Sequence, residues 1–302
     1  MFTRLLVPLD GSKLAETVLS AAAFLATHLD ASVVLIHVIE RDAPAEVHGE
    51  AHLRTESEAD AYLRKIAAAS FPPQVHVETH VHTGDFTNVT RSISNHVTEL
   101  GSDLILMCTH GRSGPRQFLF GSIAQQIGSL GSVAVLFFHA PADAEPLAFT
   151  ITRLLVPLDG EPAHEHSLPA AQNLAGRCKA SIHLLRVVPT YGNLSGPWVQ
   201  SSRLLPGTTA RMLEMAVQEA QDYLDNARAA IEKEHIAVTA EVLRGDPSDV
   251  IAEAAETHQS DLIIVGTHGR VGTDAFWSGS VAAKLCRRCR IPVLLIPAAD
   301  GK

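Results

Sequence analysis

The sequence predicts an α/β chain of two tandem, doubly wound domains, each an open five-stranded parallel sheet with helices on both faces. Three observations carry this expectation. First, Thr3-Arg4-Leu5-Leu6-Val7-Pro8-Leu9-Asp10-Gly11 recurs as Thr152-Arg153-Leu154-Leu155-Val156-Pro157-Leu158-Asp159-Gly160, the mark of an internal repeat. Second, further landmarks recur in the same order: Ser32 to Val38 answers Ser181 to Val187, Gly84-Asp85 answers Gly245-Asp246, Ser102-Asp103-Leu104-Ile105 answers Ser260-Asp261-Leu262-Ile263, and Ser132 to Leu136 answers Arg290 to Leu295. Third, short apolar, β-branched runs alternate with longer helical patterns, as expected for βαβ units with a sheet buried on both faces.

Taken in order, the first half reads as strands near 3–9, 32–38, 75–82, 103–108 and 133–138, with helices near 12–29, 50–69, 86–100 and 121–130. The second half repeats this with strands near 152–158, 181–187, 237–243, 261–265 and 291–296, and helices near 162–177, 208–234, 247–258 and 279–288. Residues 1–140 and 151–298 are the expected domains, with the proline-bearing stretch 141–150 as linker. Pro189 to Gly207, rich in Gly, Ser and Pro and carrying Trp198, is longer than its counterpart near Arg41 to Gly49. It follows a parallel strand, so it is placed either to cover a ligand crevice or to lie on the surface. The final strand of each half is apolar and belongs at a sheet edge. Such edges are a liability unless paired, so the halves are expected to dock through them.

Size and composition narrow the function. The 302 residues are enough for two full cores. The net charge of -9 argues against general nucleic-acid or anionic-membrane binding, which needs basic surface. Four cysteines, Cys108, Cys178, Cys286 and Cys289, are too few and too unevenly placed for a disulfide framework. With no basic leader and no apolar run of roughly 18 to 20 residues, the expectation is a cytoplasmic protein.

The chemistry concentrates where strands run into glycines. Gly266-Thr267-His268-Gly269 follows the apolar run 261–265, and Gly279-Ser280 opens the next helix. Glycines let backbone approach an anion closely, while the first-turn amides, a serine hydroxyl and the helix dipole favour negative charge, so this is a phosphate-binding pattern. An altered copy stands at Cys108-Thr109-His110-Gly111 and Gly121-Ser122. Neither copy is a Walker A loop, because no Gly-x4-Gly-Lys-Ser/Thr is present.

Together, the Val-Pro-Leu-Asp-Gly strand ends, the Gly-Asp pairs and the Gly-x2-Gly-x9-Gly-Ser loop resemble the universal stress proteins in their tandem two-domain form. The resemblance spans nearly the whole chain. It implies Rossmann-like domains of the adenine nucleotide alpha hydrolase type, with ATP, with or without Mg2+, lying across the carboxyl ends of the strands. Carried over residue by residue, Asp159 would bond the ribose or adenine edge beside Pro157 and Leu158, and Val187 would lie against adenine. Val265, Gly266, His268 and Gly269 would line ribose and phosphates, Gly279, Ser280 and Val281 would close on the phosphate chain, and Arg270 would approach the terminal phosphate. In the first half the matching positions are Pro8, Leu9, Asp10, Val38, Met107, Cys108, His110, Gly111, Gly121, Ser122 and Ile123. Cys108 stands where the pattern has glycine. The added side chain and the lost access to positive φ are expected to weaken the first site. The resemblance further implies pairing of the two halves, homo-oligomerisation, and a regulatory role through a protein partner with little or no hydrolysis. A slow ATPase or nucleotide-transferring enzyme using His268 or Arg270, and a nucleotide-free interaction module, stand as alternatives.

Other clusters read more plainly. His76, Glu78, His80 and His82 share one face of a strand with zinc-compatible spacing, but are read as a wet face opposite inward Val75, Val77 and Val81. His164-Glu165-His166 lacks the i, i+4 spacing of zinc-binding helices and reads as a surface helix start. Cys286-x2-Cys289 has no second pair and lies at a helix end, so it reads as buried helix cysteines, with Arg287, Arg288 and Arg290 complementing the C-terminal dipole.

Overall fold

A computed structural model describes residues 2–39, 46–47, 50–83, 89–109, 122–128, 133–139, 148–161, 165–194, 204–267 and 280–298. The first half contains β1 (Arg4–Pro8), α1 (Lys13–Glu16), α2 (Leu19–Leu29), β2 (Ser32–Val38), the two-residue strands β3 (Glu46–Val47) and β4 (Glu50–Ala51), α3 (Glu56–Ser70), β5 (Val77–His82), α4 (Val89–Glu99), β6 (Leu104–Thr109), α5 (Ser122–Gly128) and β7 (Ala134–His139). The second half has β8 (Arg153–Pro157), α6 (Ser167–Cys178), β9 (Ser181–Val188), α7 (Pro206–Glu232), β10 (Val238–Arg244), α8 (Pro247–Thr257), β11 (Leu262–Thr267), α9 (Val281–Arg288) and β12 (Val293–Pro297).

Ten of the described strands form one sheet in the order β10-β9-β8-β11-β12-β7-β6-β1-β2-β5, and β3 and β4 pair separately. Every neighbouring pair is parallel except β12 and β7, which pair antiparallel through Val293 with Phe137, Leu294 with Leu136, and Leu295 with Val135. The two expected edge strands therefore meet inside one chain. That seam consumes both edges.

The identical Arg-Leu-Leu-Val-Pro runs explain themselves on the sheet. In β1, Leu5 and Val7 face one layer of core while Leu6 faces the other, all fully buried. A two-sided sheet needs apolar residues at consecutive positions, and each buried leucine contributes roughly 1.5–3 kcal/mol. Helices α2, α3, α6 and α7 cover one face, and α4, α5, α8 and α9 the other.

Repeated polar devices fix the register. Asp103 Oδ2 accepts from the Thr3 amide and hydroxyl, both at 2.7 Å, and Asp103 Oδ1 accepts from the Arg4 amide at 3.1 Å. Asp261 Oδ2 does the same for Thr152, at 2.7 Å twice, and for Arg153 at 2.8 Å. Each aspartate thus clasps the start of the first strand of its half to the fourth. Gly245-Asp246 closes β10: Gly245 has φ of 153°, and Asp246 caps α8 by accepting from the Ser248 amide at 3.0 Å.

Several expectations need correction. The helix near 12–29 breaks into α1 and α2, because Thr17 folds back on the Leu14 carbonyl through both its amide, at 3.2 Å, and its hydroxyl, at 2.7 Å. The helix near 50–69 starts only at Glu56, where Thr55 and Glu58 form a capping box, and residues 50–51 belong to a short hairpin instead. The strand near 261–265 runs on through Thr267. The face of β5 read as wet is so only in part: His76 is exposed and Glu78 half-exposed, whereas His80 and His82 lie against His96 of α4, with ring centroids 4.7 and 4.5 Å away. Val77 and Val81 do pack on the opposite core layer. Of the long segment after β9, residues 195–203 lie outside the described residues, as do residues 141–147 of the expected linker.

Two outcomes follow. Asp261→Ala strands three donors, so it should lower stability by about 1–3 kcal/mol, read as a fall in the urea midpoint with unchanged slope. Burial pushes the His139 imidazole down to about 4. Its folded value lies below its unfolded one, so its contribution is complete above about pH 6.5 and is lost as pH falls toward about 4, amounting to about 3 kcal/mol. Urea unfolding across that range should show the acid limb shallower in His139→Phe.

Candidate functional site

The order of strands reverses between β1 and β6, and in doubly wound sheets ligands bind at the carboxyl ends beside that switch point. A cavity lies there. Pro8, Leu9 and Asp10 line it from the end of β1, Ile36, His37 and Val38 from β2, and Met107 and Cys108 from β6. Val89 and Ile93 of α4, Ile123 of α5, His52, and Ser12, Leu14 and Ala15 around α1 complete the wall. The lining is largely apolar with a few polar groups, the composition of small-molecule sites.

Of the residues the sequence marked in the first half, Pro8, Leu9, Asp10, Val38, Met107, Cys108 and Ile123 share this one cavity. Ser122 opens α5, while His110, Gly111 and Gly121 lie outside the described residues. In the second half, Pro157 ends β8 and Leu158 is buried, its amide bonding the Leu185 carbonyl at 2.8 Å as Leu9 bonds Ile36 at 2.9 Å. Val187 sits in β9, Val265 and Gly266 in β11, and Ser280 and Val281 at the start of α9. His268, Gly269, Arg270 and Gly279 are outside the described residues.

Local chemistry holds these groups in place. Asp10 Oδ1 accepts from the Ser12 amide at 2.9 Å and its hydroxyl at 2.6 Å, and Ser12 Oγ in turn caps α1 by accepting from the Ala15 amide at 3.1 Å. Asp159 Oδ1 accepts from the Glu161 amide at 3.0 Å. The turn between carboxylate and helix requires glycine: Gly11 has φ of 90° and Gly160 of 80°. A Cβ on Gly11 would also lie 3.1 Å from Leu53. Ser280 caps α9, its hydroxyl accepting from the Ala283 amide at 3.1 Å. Thr109 and Thr267 tether the loop starts to the last strand of each half, donating to the Phe138 carbonyl at 2.9 Å and the Ile296 carbonyl at 3.3 Å.

Cys108 requires a correction. It is extended, paired with Phe138 in β6, and buried. Its counterpart Gly266 is likewise in a strand and is not among the glycines of positive φ. Positive φ is therefore not what distinguishes the two positions; a thiol on the cavity wall is.

Sequence reasoning missed His37 and His52. His37 is buried and its Nδ1–H donates to the Leu9 carbonyl at 2.7 Å, while the His52 ring lies 6.1 Å away. The signal was there in the repeat: the position of His37 in one half is Arg186 in the other, a polar residue within an apolar strand in both. Arg186 stands 5.1 Å from the Tyr223 ring centroid, within cation–π range. Tyr62 and Tyr223 donate to Glu16 and Glu165 at 3.2 and 2.9 Å, and burial above all pushes both phenols up.

The remaining motifs resolve structurally. His164 lies outside the described residues, and His166 Nε2–H donates to the Ile296 carbonyl at 2.8 Å. Cys286 and Cys289 are free and buried, and burial pushes both thiols up, away from the reactive range.

The family model for the universal stress protein family matches residues 1–139 and again 150–297. The chain belongs to the universal stress protein family. Curated universal stress proteins each align with about half of it: one from Methanocaldococcus jannaschii is 27% identical over 48% of this chain and 81% of its own length, and one from Bacillus subtilis 27% identical over 48% and 97%. Among solved structures, a universal stress protein from Archaeoglobus fulgidus covers 99% of this chain and 97% of its own at TM-score 0.66 and 18% identity. A second, described as a putative universal stress protein from Pseudomonas aeruginosa, covers 98% and 93% at TM-score 0.67 and 15% identity. Both full-length likenesses bear on the fold. Among the described residues, no helix is long and apolar enough to cross a membrane.

Gly11→Ala forces a side chain into a left-handed backbone against Leu53, and should cost about 1–2 kcal/mol. A lowered urea midpoint is the measurement that checks it.

Proposed function

We propose that this universal stress protein binds an adenine nucleotide, ATP by preference, at the carboxyl ends of its strands, and acts as a nucleotide-responsive regulatory protein rather than as an enzyme. The observation that supports this reading is the cavity at the switch point, where seven residues marked in the sequence converge. Its walls suit an adenosine. Ile36, Val38, Met107 and Ile123 offer apolar surface for a base, and Asp10 stands at the end of β1 where a ribose hydroxyl needs an acceptor.

In the second half the corresponding positions are Pro157, Leu158, Asp159, Val187, Val265, Gly266, His268, Gly269, Arg270, Gly279, Ser280 and Val281. There the glycine loop carries the full phosphate-binding pattern, with the capped start of α9 as the anion-facing helix end. In the first half Met107, Cys108, His110, Gly111, Gly121 and Ser122 take the same parts, with the Cys108 thiol narrowing the approach. Magnesium would arrive on the phosphate oxygens. The halves would accordingly bind with unequal affinity.

Regulation follows if the cover over the pocket responds to occupancy. In the first half that cover is the β3–β4 hairpin with Leu53 and His52: the Glu50 carboxylate accepts from the Lys13 amide at 2.8 Å, and Leu53 lies against Gly11. A nucleotide that favours one placement of this segment shifts its population only by its differential affinity. A protein partner reading that surface completes the proposal.

Identification of the nucleotide released from purified, denatured protein tests this directly. Intact ATP or another adenine nucleotide is expected, with turnover at background. Gly269→Val should lower affinity more than Gly111→Val, each by at least about tenfold at its own site. Protein that carries no nucleotide and gains no thermal stability from ATP would overturn the reading.

A further inference from the structure

Outside the pocket, three imidazoles converge. His80 and His82 project from the same face of β5, two residues apart, and His96 comes from α4, which packs over that face. The coordinating atoms of the three all lie within 4.8 Å of one another. We propose that His80, His82 and His96 form a binding site for a late first-row divalent cation, zinc foremost.

The ligand set argues for that class. Neutral imidazole suits zinc, copper and nickel, whereas magnesium and calcium take oxygen ligands. Three nitrogens at about 2.0–2.1 Å from zinc stand about 3.3 Å apart in a tetrahedron, so binding would draw the three rings somewhat closer together. Each ring is prepared for the task in a different way. His96 is buried, and its Nδ1–H donates to the Ser92 carbonyl at 2.7 Å, which fixes the tautomer and leaves the Nε2 lone pair directed at the cluster. His80 Nε2 is buried with no hydrogen-bond partner among the described residues. An unpaired buried nitrogen is costly, and a metal bond removes that cost. Burial, followed by the neighbouring imidazoles, holds His80 and His82 below the ordinary histidine range. Glu99 adds a carboxylate 3.7 Å from His96 Nε2, and three protein nitrogens leave a fourth position open.

The rest of this face of β5 supplies a contrast. Glu78 is engaged by Arg4 at 2.6 Å and by His76 at 3.1 Å, and stays out of the cluster. The second half places His183, Glu241 and His258 at the corresponding sheet edge, again within 4.8 Å. There Glu241 Oε1 already receives His183 Nε2 at 2.9 Å and His258 Nε2 at 2.8 Å, and His183 Nδ1 meets Thr239 Oγ1 at 2.7 Å. In that triad the carboxylate and both imidazoles are joined by hydrogen bonds, whereas in the all-imidazole cluster His80 Nε2 has no hydrogen-bond partner among the described residues. An ion at the first cluster would tie the outermost strand β5 to α4. Val89 and Ile93 of α4 and Val38, the register partner of His82, line the nucleotide cavity, so the tie would brace one of its walls. The cation site itself does not depend on the nucleotide reading.

Titration of the full-length, tag-free, metal-stripped protein with Co2+ tests the proposal. The expected result is one ion per chain with the intense visible absorption of tetrahedral Co2+, no thiolate charge-transfer band, displacement by Zn2+, and a higher melting temperature with Zn2+. His96→Ala and His82→Ala should each weaken binding by at least about tenfold. The half-exposed His82 guards against a variant that fails to fold, and His258→Ala should leave binding unchanged. No saturable Co2+ binding, or binding that survives His80→Ala with His82→Ala, would overturn the site, as would binding lost only in His258→Ala, which would move the ion to the second half.

Discussion

The antiparallel pairing of β7 with β12 is the constraint on which the architecture depends. Each half ends in a strand that is apolar on both faces, and an unpaired apolar edge invites association with other chains. Joining the two edges satisfies both at once and gives one sheet of ten strands. It also lets the core layer under α2, α3, α6 and α7 run without interruption through both halves. Phe149, near the end of the expected linker, packs edge-on against Phe24 and Phe138 at 5.6 and 5.4 Å, which ties the entry into the second half to that layer. The helices touch there as well, with Arg177 of α6 donating to the Leu29 carbonyl at the end of α2 at 3.5 Å.

Because the two halves meet tail strand to tail strand, their switch points lie apart, β1–β6 on one side of the seam and β8–β11 on the other. Each half can therefore diverge at its own site. Arg186 has taken the place of His37, Gly266 that of Cys108, and His183 that of Val34, while the clasps by Asp103 and Asp261 stay alike. Positions that hold register tolerate little change, since three donors depend on one carboxylate. Of the residues lining the first-half cavity, Pro8, Leu9, Asp10 and Val38 recur unchanged in the second half, while His37 and Cys108 do not.

Much of this was legible in the sequence. The repeat gave the strand set, since a nine-residue identity fixes where each half begins, and apolar runs bounded by Gly, Pro and Asp marked the buried strands. The resemblance to the universal stress proteins put Asp10, Val38 and Met107 in one pocket, and the three line one cavity. Less legible were features that depend on one residue meeting another far along the chain. His96 sits on an ordinary amphipathic helix, and nothing in its own neighbourhood says that α4 packs over His80 and His82. His37 and His52 are likewise brought together by the fold of the segment between β2 and α3. The break between α1 and α2 rests on Thr17, whose hydroxyl competes for a helix carbonyl in a way propensity alone does not reveal.

The sequence by itself determined the class of fold, the duplication and the strand ends on which ligand chemistry gathers, because these follow from local periodicity and from repeated residues read in order. Only the tertiary structure decided that part of the wet-looking face of β5 lies against α4, that Gly266 shares the strand backbone of Cys108, and that three imidazoles from a strand and a helix converge. Periodicity reports which residues share a face, but what covers that face is set by long-range packing, which no short window of sequence contains.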